Sequence, residues 1–345
     1  MDGTIYEFEH LPRALAMGEQ GAEAPRARAP SRTKPLVGVI RNPRSHRNKG
    51  NMPELADQPH ILTAVPGTRS ELASVLADFA ARSVDVLAVD GGDGTVRDVL
   101  TCGAPIFGES WPPLIVLPKG KTNALAVDLG LPRQWSLPDA LQAMQDGRMV
   151  ERRPIRVNQP DGPEGQVMGF ILGSGIFTTA TQAGQTAHRL GAFNSFAVGV
   201  TAAFGVMQAL FGIGKSPWRA QSGMRILSGA DNQPVGHSGH GEPDSRYAMV
   251  FSTLERFPLG MRLFGNVRGT LKYALLDAPL RRVVAMVPFL MAGWDRPFHA
   301  GLGVHRGVLD EAILELDDRF ILDGEAFPAG RYRLRPGPRL RFIAP

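Results

Sequence analysis

The feature that most constrains this chain is Gly91-Gly92-Asp93-Gly94-Thr95, set directly behind the apolar run Val84 to Val89. Such a run, rich in β-branched residues, reads as a buried strand. Glycines at its end let the backbone turn sharply and come close to a ligand. A helix started there by Val96, Val99 and Leu100 turns its free N–H groups toward an anion. Asp93 would repel a bare phosphate, so the loop suits a nucleotide carried with a divalent cation, or a proton-transfer role for the acid. An ordinary Asp-Gly turn is the plainer alternative. The double glycine, acid, third glycine and hydroxyl at one strand end speak against it.

Further strand–loop–helix units flank this one. Leu36 to Ile40 is an apolar run stopped by Asn42-Pro43, with Ser45 in the loop behind it. Ser70 to Ala81 places Leu72, Val75, Leu76 and Phe79 on one helical face, with Ser70 as candidate N-cap. Leu114 to Leu117 is a third strand and runs into Pro118-Lys119-Gly120-Lys121-Thr122-Asn123. Helices are expected over Ala124 to Leu129 and Leu137 to Met144. Repeated units of this kind predict a parallel sheet with helices on its faces. Ligands of such sheets bind beyond the carboxyl ends of the strands. Gly120 allows close approach there, Lys119 and Lys121 supply charge, and Thr122 and Asn123 supply hydrogen bonds. The stretch is not a Walker A loop, because the first glycine is missing at the required spacing.

The pattern changes near residue 150. Ile155 to Val157, Val167 to Leu172, Tyr247 to Ser252, Ala312 to Leu316 and Arg319 to Leu322 read as antiparallel strands. Ala192 to Phe211 and Leu271 to Ala292 read as helical, the second with Arg281 and Arg282 among apolar residues. The expected division is a flexible tail over 1–34, an α/β domain over 35–150 and a β-rich domain over 151–345. The cleft between the two domains is the default place for a site.

Composition narrows the partners. The net charge of +5 over 345 residues suits an anionic partner: nucleotide, phospholipid headgroup or nucleic acid. The arginines gather near the ends, at Arg26, Arg28 and Arg32 and again at Arg331, Arg333, Arg335, Arg339 and Arg341, as solvated edges do. The single cysteine, Cys102, excludes an intrachain disulfide framework and fits a reducing, cytoplasmic setting. Met1 to Arg13 lacks the apolar core of a secretory signal. Val283 to Trp294, interrupted by Pro288, falls short of the roughly 18 apolar residues a membrane span needs. Any membrane contact is therefore expected to be peripheral. His237, His240 and Glu242 lie in a glycine-rich loop and read as loop rather than metal ligands.

Asp323-Gly324-Glu325 follows the strand Arg319 to Leu322. Turn chemistry alone explains it, while the functional reading is a carboxylate placed to take a proton from an alcohol. With Asn42-Pro43-x-Ser45, Gly91 to Thr95 with Asp98 behind it, and Pro118 to Asn123 followed by Leu129-Gly130, it completes an order that resembles the diacylglycerol kinase catalytic family, which includes sphingosine kinases and bacterial soluble lipid kinases. The likeness covers roughly 36–345. The first glycine loop is shared with NAD kinases, and the late Asp-Gly-Glu favours the lipid branch.

The resemblance implies an α/β nucleotide domain of NAD-kinase/diacylglycerol-kinase type, a C-terminal β-sandwich, ATP and Mg²⁺ as cofactors, and phosphoryl transfer to a lipid hydroxyl. The lipid would be met at a membrane surface, with no nucleic-acid partner. Asp93 and Glu325 would be catalytic, with Asp93 organising Mg²⁺ and Glu325 accepting the proton. Gly91, Gly92, Asp93, Gly94, Thr95, Asn42, Pro43, Ser45, Gly120, Lys121, Thr122 and Asn123 would hold the nucleotide. The alternatives are a catalytically weak nucleotide- or lipid-binding protein of this fold, and a kinase of a soluble acceptor such as NAD. Lys121, standing for threonine, and Ala124, standing for an acid, motivate the first of these; Arg97 for asparagine and His46 for glycine are further departures from the family pattern.

Overall fold

A computed structural model describes residues 32–51, 54, 55, 57–161, 165–179, 219–229 and 231–345. The helix expected over Ala192 to Phe211 and residues 1–31 of the expected tail lie outside these. Arg32, at the edge of that tail, is anchored: it donates to the Ser83 carbonyl at 2.8 Å and pairs with Asp85 at 3.1 Å.

The apolar runs form the first sheet. Its strands β1 (Val37–Arg41), β2 (Ile61–Ala64), β3 (Val86–Gly91), β4 (Leu114–Pro118) and β5 (Met149–Arg152) are joined by the last strand, β19 (Leu340–Ile343), in the order β2-β1-β3-β4-β19-β5. All neighbours are parallel except β19 and β5. The strands are apolar on both faces because both are covered. Ile40, Leu87, Val89, Leu114 and Val116 face the core under helices α1 (Arg69–Ala81) and α2 (Asp93–Phe107). Val39, Val86, Ala88, Ile115 and Leu117 face the core that includes Leu137 and Ala140 of α4 (Leu137–Gln145). The short α3 (Ala124–Leu129) follows β4. Helix α1 is capped by Thr68, whose side chain accepts from the Glu71 amide, and not by Ser70.

Two antiparallel sheets make the second unit. One runs β10 (Gln233–Pro234), β9 (Ser222–Ser228), β15 (Ala312–Leu316), β18 (Gly330–Pro336), β6 (Ile155–Asn158), β7 (Gln166–Gly169), with β11 (Ser245–Arg246) beside β9. The other runs β14 (Val304–Leu309), β13 (Leu271–Leu276), β12 (Ala248–Ser252), β8 (Ile171–Gly175), β16 (Phe320–Leu322), β17 (Glu325–Phe327). Val157, Ile226, Leu314 and Leu334 of the first meet Leu172, Phe251, Leu275 and Phe320 of the second in one core. This is a β-sandwich packed beside a parallel α/β layer, as expected.

Some expectations are corrected. Leu271 to Ala292 is not one helix: β13 occupies Leu271–Leu276, and only Arg281–Met291 is helical, here α5. Pro279 separates the two, and Leu271-Lys272-Tyr273 lies hydrogen-bonded between β12 and β14, where strand neighbours on both sides decide. The unit beginning at 151 does not run to 345, because β19 returns to the first sheet between β4 and β5. The arginines at 331, 333 and 335 do lie at the solvated surface, in ion pairs with Asp161 at 2.6 Å and with Glu311 at 3.1 and 2.5 Å.

Phe342 of β19 is fully buried and its ring lies 6.3 Å from that of Phe170, between the units. Phe342→Ala should therefore cost about 3–5 kcal/mol, readable as a lower urea midpoint. An unchanged midpoint would show that β19 adds little to closure of the sheet.

Candidate active site

The three loops that follow β1, β3 and β4 converge at the carboxyl ends of these strands, held by backbone bonds. The Asn42 amide donates to the Asp90 carbonyl at 3.0 Å, that of Lys119 to Gly91 at 3.0 Å and that of Arg47 to Lys119 at 3.1 Å. Asn42 Nδ2 donates to Thr95 Oγ1 at 3.0 Å, and its Oδ1 accepts from the Arg44 amide at 3.0 Å. Pro43 is exposed and Ser45 half-buried in this loop. Beneath it a buried pair, Arg41 with Asp90, fixes the strand ends.

The glycine loop and the second loop touch backbone to backbone. A Cβ on Gly92 would stand 2.8 Å from Gly120 Cα, and one on Gly120 would stand 2.7 Å from Gly92 Cα. None of Gly91, Gly92, Gly94 and Gly120 has a positive φ, so closeness rather than dihedral freedom requires glycine at Gly92 and Gly120. Asn123 does lie in the left-handed region, at φ 51°, and its side chain both accepts from the Gly120 amide (2.8 Å) and donates to the Gly120 carbonyl (2.9 Å). That ring of bonds shapes the second loop. Lys121 and Thr122 are exposed at its tip, and Lys121 has no ion pair among the described residues. Lys119 is occupied instead by Glu54, at 3.1 Å.

Asp93 begins α2 and reaches across to α3. Its carboxylate accepts from the amides of Ala124 (2.9 Å) and Leu125 (3.2 Å). The anion thus closes the open N-terminal end of that helix. Burial raises its proton affinity against the pull of these donors. The missing acid at position 124 does not disturb this contact, because Ala124 contributes a backbone N–H.

The second unit supplies the remaining groups through the β16–β17 hairpin. Asp323 and Gly324 both have positive φ, 46° and 82°, as a two-residue turn between paired Leu322 and Glu325 requires. The turn reading of Asp-Gly is therefore correct, but it does not exhaust the residue. Asp323's carboxylate accepts from the amides of Phe170 (2.9 Å) and Ile171 (2.9 Å), and Gly169 is bare where a Cβ would stand 2.6 Å from its Oδ2. Burial first, and the charge of Asp93 second, push its pKa up to about 7 against those two donors.

Glu325 lies on the far side of the turn, half-buried, with its carboxylate 3.7 Å from Arg97 Nη2. Burial raises its proton affinity against Arg97, with Asp98 acting in the same direction as burial. Arg97 is itself buried on α2. It pairs with Asp98 at 3.1 Å and donates to the Leu322 and Asp323 carbonyls at 3.3 and 3.5 Å. Arg69 adds a second cation, 3.6 Å from Asp98. Arg97 therefore ties the hairpin to the helix that begins at the glycine loop. Its place directly behind that loop was a visible signal; Arg69, on another helix, gave none.

Other weighed residues fall elsewhere. Cys102 is buried, and burial pushes its thiol up to about 12, which leaves it unreactive. His237 lies 3.4 Å from the Ser245 carbonyl and His240 3.2 Å from that of Gly301, and no metal-ligating cluster occurs among the described residues.

The Asp323 geometry sets a pH dependence. An acid whose folded pKa is raised binds a proton in the folded state that the unfolded chain has released, so stability falls as pH rises from about 4 to about 7. In metal-free buffer, Asp323→Asn should flatten that slope in urea unfolding at pH 5 against pH 7.5. A slope equal to that of the wild type would locate the proton elsewhere.

A search for relatives finds that residues 37–157 match the family model of the diacylglycerol kinase catalytic domain. A diacylglycerol kinase of Bacillus subtilis (strain 168) is 36% identical over 104 residues, which are 30% of this chain and 31% of that protein. The matched stretch thus spans about a third of the curated relative's length. Among solved structures, a diacylglycerol kinase from Bacillus anthracis str. Sterne superposes with a TM-score of 0.60 at 15% identity, covering 91% of this chain and 98% of that one. A second structure from that organism gives 0.63 at 17% identity, covering 91% and 99%. These two likenesses show the fold.

Proposed function

From the match of residues 37–157 to the family model of the diacylglycerol kinase catalytic domain, we propose that the chain transfers the γ-phosphoryl group of ATP to a lipid hydroxyl. The observation that carries this reading is the approach of Glu325, from the sandwich, to the helix that starts at the glycine loop, through Arg97. One element holds phosphate and the other offers a proton acceptor, so acceptor and donor substrates would meet between them.

The chemistry needs little beyond position and charge. The loop amides of Gly92 to Gly94, at the N-terminus of α2, receive phosphate oxygens, while that of Thr95 is taken by the Gly92 carbonyl at 2.9 Å. Lys121, exposed and unpaired among the described residues, adds a cation that the usual threonine would not. Glu325 takes the proton of the acceptor hydroxyl as its oxygen bonds to the γ-phosphorus and ADP leaves. Burial has already raised the proton affinity of this carboxylate, which suits a base working near neutral pH. The charge of Asp93 raises the pKa of Asp323, and a dication brought in with the nucleotide would relieve that repulsion. When bound, Mg²⁺ would neutralise phosphate charge.

Incubation with γ-labelled ATP and, separately, a lipid extract, NAD and polyols tests the reading. Label should enter the lipid fraction. Label in NAD or a polyol alone would make it a kinase of a soluble acceptor. ATP binding without transfer to any acceptor would make it a binding protein of this fold.

A further inference from the structure

Helix α5 leaves part of its apolar surface on the outside. Val283, Val284 and Leu290 are buried, but the outward stripe runs Arg281, Arg282, Ala285, Pro288, Phe289 and Ala292. Beyond the helix the exposed rings continue. Phe289 is 62% exposed, Trp294 37% and Phe298 54%, with Trp294 lying 6.3 Å from Phe289 and 5.9 Å from Phe298. A contiguous aromatic surface of this kind marks an interaction site.

Its charge selects the partner. Residues 278–294 contain no acid and two exposed arginines at the helix start. Arg281 and Arg282 line an open depression of about 800 Å³ together with Arg219. At the other end Arg262 is tied to the helix by its amide, which donates to the Met291 carbonyl at 2.7 Å, and Arg296 is exposed. The neighbouring acid, Asp295, lies 3.7 Å from Arg306. A two-fold contact with a second copy would set arginine against arginine without a counter-charge on this face. No described helix is long and apolar enough to cross a membrane.

We propose that this face, α5 with Trp294 and Phe298, lies on an anionic bilayer, rings in the interface and arginines against lipid phosphates. The proposal rests on the lipid-kinase reading for its purpose, since it names the surface that would bring the acceptor to the site. The loop that precedes Arg262 is joined to α3, the helix after the second phosphate loop: the amides of Glu255 and Arg256 donate to Asp128 at 2.6 and 2.8 Å, and Leu254 and Phe257 share one core with Leu125 and Leu129.

Co-sedimentation of the full chain with vesicles tests it, using phosphatidylcholine alone and phosphatidylcholine mixed with phosphatidylglycerol. The chain should partition about tenfold better onto the mixed vesicles. Arg281→Glu with Arg282→Glu should remove that preference, and Phe289→Ser with Phe298→Ser should lower partition about tenfold on both. Emission from Trp294, read as the difference from Trp294→Phe, should shift to the blue on binding. Both double variants should keep transfer to a short-chain acceptor in vesicle-free solution within about twofold. Equal partition of the wild type and both variants overturns the proposal, as does failure of the wild type to bind. So does a dimer that Phe289→Ser with Phe298→Ser dissociates while no vesicle binding is seen. Vesicle binding with no phosphoryl transfer to any lipid would instead sink the kinase reading and leave the surface standing.

Discussion

Glutamine at position 325 is expected to lower phosphoryl transfer by about 10²–10⁴-fold while ATP affinity stays within about twofold. Glutamine keeps the size of the side chain and its place on β17 beside Arg97 but cannot take a proton. The phosphate loops are built from β1, β3 and β4, so nothing in their bonding depends on residue 325. The pH profile carries independent information. In the wild type, turnover should rise as pH climbs through the raised pKa of Glu325, because only the ionised form accepts a proton. That limb should vanish from the residual activity of Glu325→Gln. A variant that keeps both rate and limb would assign the proton to another group, with Asp323 the next to examine.

The second large effect belongs to Gly92→Ala. The added methyl would meet Gly120 Cα at 2.8 Å, a backbone atom that cannot swing aside as a side chain could. One loop must move, and the proposed phosphate site is built from both. ATP affinity and turnover should each fall by about 10²-fold, as small displacements at a reacting centre do, and stability should fall by about 1–3 kcal/mol. Gly94→Ala is the matched control. Its Cβ would meet nothing closer than Arg97 Nη2 at 3.7 Å, inside a helix, so the fold should hold or gain slightly. If Gly94→Ala also weakens ATP binding while stability holds, the phosphate itself needs the bare backbone. Calorimetric titration and urea unfolding of the pair separate the two causes. Wild-type affinity in Gly92→Ala would refute a tight loop contact.

Much of this site was legible because its loops follow apolar runs with strong local signals. β1, β3 and β4 are buried on both faces, so periodicity and β-branching mark them without outside help. What local pattern could not show was partnership. Asp93 was noticed as an acid beside phosphates, yet its visible bonds go to Ala124 and Leu125. No spacing announces a contact between two separate loops. The Asp-Gly pair at 323 was weighed as turn or as chemistry, and it is a turn whose carboxylate is also enclosed between two units. Leu271 to Leu276 has apolar residues compatible with either period, and only its strand neighbours resolve it. β19 is four residues with an arginine among them, too short to be marked by pattern.

That last strand bears on the order of assembly during synthesis. The first sheet has its sixth member at Leu340–Ile343, between strands that emerge far earlier. While the ribosome is still making the sandwich, β4 and β5 would wait with a strand-wide gap between them, each with an unpaired edge. The layer that folds first in sequence order is thus sealed last, after the hairpin bearing Glu325 has been made. Pairing over so long a separation is slow.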